Sequence, residues 1–73
     1  MYKIYGKTDC SYCEKAKDLL DRFKAEYSYF NIDSDGDALG FIVKSGYRSV
    51  PQIFYNDEYV GGYNELQKHI FTK

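Results

Sequence analysis

The sequence predicts an α/β domain with the element order βαβαββα, and three observations carry that prediction. A helix-period apolar stripe lies between two strand-like aromatic runs. Two further strand-like runs flank a two-residue turn. The chain then closes on a segment whose apolar residues return to helical spacing.

"YKIY", residues 2 to 5, alternates around Lys3 and reads as a first strand ended by Gly6. From Cys10 the rhythm turns helical. Ala16, Leu19, Leu20 and Phe23 recur at three- and four-residue spacing, while Glu14, Lys15, Lys17, Asp18, Asp21 and Arg22 cover the other face. "YSYFNI", residues 27 to 32, reads as a second strand, followed by the turn cluster "DSDGD". Leu39, Ile42 and Val43 predict a short second helix, with Asp35 or Asp37 near its start and Gly46 past its end. "QIFY" and "EYVG" flank Asn56 and Asp57, a two-residue connection typical of a hairpin. In "NELQKHIF", Leu66, His69 and Ile70 share one face, and Asn64 with Gln67 resembles a capping box. A helix joining the first two strands requires a parallel, right-handed βαβ unit. With the antiparallel hairpin added, four strands form a mixed sheet with three helices.

One domain is expected over residues 1–73, near the size where a single core suffices without metals or several disulfides. The hydrophobic fraction is 44%, and nine tyrosines and five phenylalanines supply large buried areas. Ten basic and eleven acidic residues are mixed along the chain for a formal charge of −1, which argues against nucleic-acid binding. The tyrosines follow no base-stacking motif. No apolar run approaches the ~20 residues of a membrane span, and "MYKIYGK" lacks the apolar core of a signal peptide. A cytoplasmic monomer with no membrane association is the expectation.

The chain has two cysteines, in "GKTDCSYCEKAKDLL". A permanent staple closing so short a loop stabilises little and is rare in a reducing cytosol. Structural zinc takes four ligands, whereas the soft-ligand inventory is Cys10, Cys13 and His69, so no metal site is expected. "NIDSDG" imitates the start of a calcium loop, but its twelfth position is Ile42 rather than glutamate. A dithiol reaction centre fits better. At a helix start, Cys10 would lie beside unsatisfied N–H groups that favour thiolate, and such thiols fall from about 8.5 to about 3.5–7.5. Cys13, one turn on and more buried, would resolve a mixed disulfide formed at Cys10. Lys7 adds a positive charge nearby.

Three motifs together resemble the glutaredoxins, a family with the thioredoxin-like fold, over nearly the full length. "KTDCSYC" is similar to the family's active-site segment, "SVPQIF" to its "TVPQIF" segment and "GGYNEL" to its glutathione-holding "GG-Y-D-D-L" signature. The resemblance implies a glutathione-dependent oxidoreductase that reduces protein disulfides and glutathione mixed disulfides, with Cys10 and Cys13 catalytic. It implies a cis Val50–Pro51 bond and a Val50 backbone that pairs with the cysteinyl part of glutathione as an added strand. It assigns Lys7, Tyr12 and Gln52 to the glycyl end, with Arg48 a further candidate cation, and Gly62, Tyr63 and Asn64 to the γ-glutamyl carboxylate at a helix N-terminus. Asn64 and Glu65 stand where the family usually has aspartates, and Ser11 where it usually has proline. Relatives with C-S-Y-C resemble glutathione-ligated [2Fe–2S] carriers, which makes a dimer holding a cluster through Cys10 an alternative. A redoxin served by thioredoxin reductase is another, although such relatives lack the GG-Y signature. Ribonucleotide reductase is a common client of the family.

Overall fold

The computed structural model describes residues 1–72, and its elements follow the predicted order: β1 (Tyr2–Gly6), α1 (Ser11–Arg22), β2 (Tyr27–Asn31), α2 (Gly36–Lys44), β3 (Gln52–Tyr55), β4 (Glu58–Gly61) and α3 (Tyr63–Phe71). The strands form one sheet in the order β2-β1-β3-β4. β1 and β2 are parallel, with Ile4 opposite Tyr29, whereas β1–β3 and β3–β4 are antiparallel, which is the mixed thioredoxin-like sheet. The β3–β4 turn places Asn56 and Asp57 at φ 49° and 70°, the paired left-handed conformation that matches strand twist in a two-residue hairpin.

Alternation along β1 gives the sheet two faces of unequal thickness. Tyr2 and Ile4 point to one side and join Ala16, Leu19 and Leu20 of α1, Ile53, and Leu66 and Ile70 of α3 in the principal core. Tyr5 points to the other side, where its ring lies 4.9 Å from Phe41 of α2 and 5.1 Å from Phe30. Phe54, Tyr47 and Tyr59 extend this aromatic layer. Helices α1 and α3 therefore share one face, and α2 lies alone on the other.

Three local expectations change in the structure. Phe23 is the C-cap of α1 rather than part of its buried stripe. It is exposed and packs its ring edge against Phe71, 5.2 Å between centroids. Leu39 and Val43 are exposed, while Ala38 and Ile42 carry the burial of α2, because that helix meets the sheet along a narrower line than α1 does. The capping interaction of α3 starts two residues earlier than Asn64: Glu65 Oε1 accepts from the Gly62 N–H at 2.8 Å. The reason is that the helix begins at Tyr63, which makes Gly62 the N-cap and Glu65 the third helical residue.

Candidate active site

The N-terminus of α1 brings the two cysteines together. Cys10 is the N-cap, extended at φ −115° and ψ 105°, and Cys13 lies in the first turn. Their Cα atoms are 5.2 Å apart and the sulfurs are joined in a disulfide. Cys10 Sγ accepts the Cys13 backbone N–H at 3.1 Å, so the sulfur occupies the place a serine or aspartate oxygen takes in an ordinary N-cap. When the disulfide is reduced, the same donor and the helix dipole favour charge on Cys10. Cys13 is fully buried and Cys10 partly exposed, the asymmetry expected of a resolving and an attacking thiol.

Burial of Cys13 depends on Gly6. A side-chain carbon placed there would stand 2.9 Å from Cys13 Sγ and would also collide with the Tyr29 hydroxyl. Tyr29 is held by the Lys17 ammonium over its ring at 4.3 Å, and burial raises its phenol pKa. Lys17 also pairs with Glu14 at 3.0 Å, and this hydrogen bond is the main reason its own pKa rises. That pair engages the carboxylate nearest in sequence to Cys13.

The loop before Cys10 is anchored from β2 and the turn after it. The Thr8 N–H donates to Asp33 Oδ2 at 3.0 Å, and Asn31 Nδ2 donates to Thr8 Oγ1 at 3.2 Å. The same turn caps α2: Asp35 Oδ1 accepts from the Asp37 and Ala38 N–H groups, both at 3.1 Å. The calcium-like "NIDSDG" is thus a polar turn that holds the thiol loop at one end and starts a helix at the other. Sequence reasoning recognised the turn but not its grip on Thr8, because that contact spans 25 residues.

A groove of about 310 Å³ runs past the Val50–Pro51 peptide bond, which is cis as the resemblance implies. It gathers Tyr12, Val50, Pro51, Gln52, Gly62, Tyr63 and Asn64, and adds Ser49, Tyr59 and Glu65, which sequence reasoning did not place there. Glu65 was legible as the G-x-x-E pattern at Gly62. Tyr12, half exposed, rests against Tyr63 with centroids 5.9 Å apart and carries the Lys15 ammonium 4.9 Å over its ring. Gly61 ends β4 at φ 128°, and a Cβ there would strike Glu65 Cγ at 2.7 Å, so glycine lets the chain turn tightly into α3. Asn64 is exposed on the first turn of α3.

Lys7 does not line this groove. It borders a neighbouring cavity of about 240 Å³ with Arg48, Val43 and Val50, and Ser49 and Val50 border both spaces. Among the described residues neither Lys7 nor Arg48 forms an ion pair. Gln52 is 6% exposed, and its amide is occupied by Ser49 and Tyr59 rather than open to the groove. His69, on the inner side of α3, accepts from or donates to the Tyr2 hydroxyl at 2.8 Å and has no part in this site. No cluster of three or more His, Cys, Asp or Glu residues is arranged for a metal ion among the described residues.

Comparison with known proteins gives a consistent result. The glutaredoxin family model matches residues 3–60. A probable glutaredoxin of Synechocystis sp. is 35% identical over 66 residues, spanning 88% of this chain and 75% of that protein. Glutaredoxin 1 of Escherichia coli is 33% identical over 71 residues, spanning 86% and 84%. The crystal structure of a buckwheat glutaredoxin–glutathione complex superimposes with a TM-score of 0.80 at 31% identity, covering 99% of this chain and 70% of that one.

Proposed function

This chain belongs to the glutaredoxin family and is a glutathione-dependent thiol–disulfide oxidoreductase, and from that premise we propose which of its residues carry each step. Cys10 is the attacking thiol. Its thiolate attacks the glutathionyl sulfur of a mixed disulfide, forming Cys10–S–S–glutathione and releasing the substrate thiolate. A second glutathione thiolate then attacks that disulfide, giving oxidised glutathione and restoring the Cys10 thiolate. With a protein disulfide, Cys10 forms a mixed disulfide with one substrate sulfur, and Cys13 displaces it to give the Cys10–Cys13 bond. Two glutathiones return both cysteines to thiols.

The single observation that carries this reading is the position of the disulfide: an N-cap sulfur holding a helix N–H, joined to a buried partner one turn on. Glutathione is the substrate that the groove beside Pro51 suits. The Val50 backbone would pair with its cysteinyl unit, and the N-terminus of α3 at Gly62, Tyr63 and Asn64 would receive the γ-glutamyl carboxylate. Glu65, whose Oε1 already accepts the Gly62 N–H, lines the same groove and would offer its negative charge to the adjoining ammonium. Lys7 and Arg48, in the neighbouring cavity, offer positive charge to the glycyl carboxylate.

Disulfide-bearing proteins, ribonucleotide reductase among them, are the proposed clients, and a reducing compartment with a glutathione pool suits the chemistry. The cluster-carrier alternative is not favoured, because family, fold and the Cys10–Cys13 pair together support dithiol exchange. Nor is service by thioredoxin reductase favoured.

The test is glutathione-dependent reduction of a glutathionylated peptide, coupled to glutathione reductase. Activity in the native protein and its loss in Cys10→Ser is the expected result; full activity of Cys10→Ser would refute the assignment.

A further inference from the structure

The buried amide of Gln52 ties β4 to the loop that carries Val50. The Tyr59 hydroxyl donates to Gln52 Oε1 at 2.6 Å. Gln52 Nε2 in turn donates to the Ser49 carbonyl at 2.8 Å and to Ser49 Oγ at 3.3 Å. Orienting the Ser49 carbonyl has a direct consequence, because that carbonyl and the Val50 N–H belong to one planar trans peptide unit and point in opposite directions. Whatever aims the carbonyl at Gln52 aims the Val50 N–H away from it.

Tyr59 is well placed to act as the fixed end of this chain of bonds. Its ring stacks on Tyr47, 5.1 Å between centroids and 20° between planes, and meets the Phe54 ring at 5.4 Å. Burial, followed by the influence of Tyr47 and Glu65, raises its phenol pKa, so the hydroxyl keeps its proton and remains a donor. Tyr59, half exposed, and Gln52, buried with its amide taken up in these bonds, both border the groove beside Pro51, so the clamp is part of its wall.

We propose that Tyr59, acting through Gln52 and the Ser49 carbonyl, is a positioning residue that sets the Val50 N–H for pairing with glutathione. This rests on the reading of Val50 as the strand-like partner of the cysteinyl unit. It also gives Gln52 a role that needs no direct contact with the substrate, and it makes the aromatic layer under α2 part of glutathione recognition. Without the clamp the Ser49–Val50 peptide can rotate, and binding must then order it.

The experiment compares the native protein with Tyr59→Phe, Gln52→Met and the double variant on two substrates: a glutathionylated peptide and a peptide disulfide that contains no glutathione. Tyr59→Phe keeps the ring on Tyr47 and removes only the donor. At saturating glutathione it should raise KM for the glutathionylated peptide about fivefold, the worth of one hydrogen bond, while kcat and the KM for the glutathione-free disulfide change much less. Gln52→Met should raise KM at least as much, and adding Tyr59→Phe to it should change nothing further. An unchanged KM in Tyr59→Phe, additive effects of the two substitutions, or an equal rise in KM for both substrates at saturating glutathione would each overturn the clamp. If Tyr59→Phe fails to fold, Gln52→Met alone carries the test through its ratio between the two substrates. A native protein inactive toward the glutathionylated peptide would instead sink the glutathione reading itself, whatever the variants do.

Discussion

The two ends of the sheet make different use of concave surface. Where α1 and α3 finish, Met1, Tyr2, Phe23, Tyr55, Ile70 and Phe71 surround a hollow of about 610 Å³. Where the same helices begin, the groove at Pro51 has about 310 Å³. Neither space is lined by a thiol, since Cys10 borders a separate hollow with Asp9, Ser11 and Glu14, and in the larger one the hydroxyl of Tyr2 is already engaged by His69. The smaller one reaches the N-terminus of α1 through Tyr12, which lies between the two cysteines in sequence and rests on Tyr63 at the start of α3; the first helix is capped by the Cys10 sulfur and the second by Glu65. Reactivity follows the convergence of backbone donors and a nucleophile, not the volume available.

The most severe way to break this comparison is to exchange a residue at each end. Cys10→Ser should reduce glutathione-dependent turnover by about a thousandfold or more, the scale of losing a nucleophile. Phe71→Ser, on the rim of the larger hollow, should leave kcat/KM within about twofold, since an exposed side chain far from the thiols touches no reacting group. Equal losses from both substitutions would show that the ends are not functionally separate. Cys13→Ser should spare the reaction with a glutathionylated peptide while most protein-disulfide reduction is lost.

A core substitution between the ends should damage both through stability alone. Leu20 is fully buried in the principal core, and Leu20→Ala is expected to cost about 2–5 kcal/mol, read as a lower urea midpoint. Specific activity of the molecules that remain folded should be close to native. Gly6→Ala sharpens the picture by acting on the thiol end only. The added methyl group meets Cys13 Sγ and the Tyr29 hydroxyl, and the overpacking should cost about 1–3 kcal/mol. Protein-disulfide turnover, which needs Cys13, should fall more than turnover of a glutathionylated peptide, and a uniform fall in both would refute this placement.

The smallest expected effect belongs to the far end. Burial, with Tyr55 adding to it, raises the Tyr2 pKa above the ordinary tyrosine value of 10.0, and burial also raises those of Tyr27, Tyr29 and Tyr59. The folded state thus holds its phenol protons at a pH where the unfolded chain has begun to release them. Their contribution to stability is full below pH 10 and is lost as pH rises from there through the folded pKa values. Urea midpoints measured at pH 9 and pH 11 should therefore fall with pH. Tyr2→Phe should flatten that slope slightly, cost about 1 kcal/mol at pH 7 through the lost bond to His69, and leave glutathione turnover unchanged.

Much of this is readable in the sequence. The α1 stripe of Ala16, Leu19 and Leu20 is buried as its spacing requires, and Asn56–Asp57 turns the hairpin. Leu39, Ile42 and Val43 marked α2 as their spacing predicts, yet Phe23, Leu39 and Val43 are exposed for a common reason: periodicity identifies an apolar face but not how wide a partner surface will cover it. The capping residue of α3 depended on which residue began the helix, a choice of two residues that Asn64–Gln67 and Gly62–Glu65 both allow in sequence.

The sequence by itself determined the chemistry, though not through the cysteine spacing alone. A C-x-x-C at a helix start leaves staple, metal and catalysis open, and short-loop energetics, ligand counting and the "SVPQIF" and "GGYNEL" motifs are what make it a dithiol with a substrate class. Only the tertiary structure decided how that dithiol is framed. Gly6 makes room for Cys13, Asn31 and Asp33 grip Thr8, Ser49 and Val50 border both the groove and the cavity of Lys7, and Tyr59 reaches Gln52 across the hairpin. These relations depend on sheet register, strand order and the packing of aromatic rings, which bring residues from separate strands and loops within hydrogen-bond distance and leave no periodic trace in the chain.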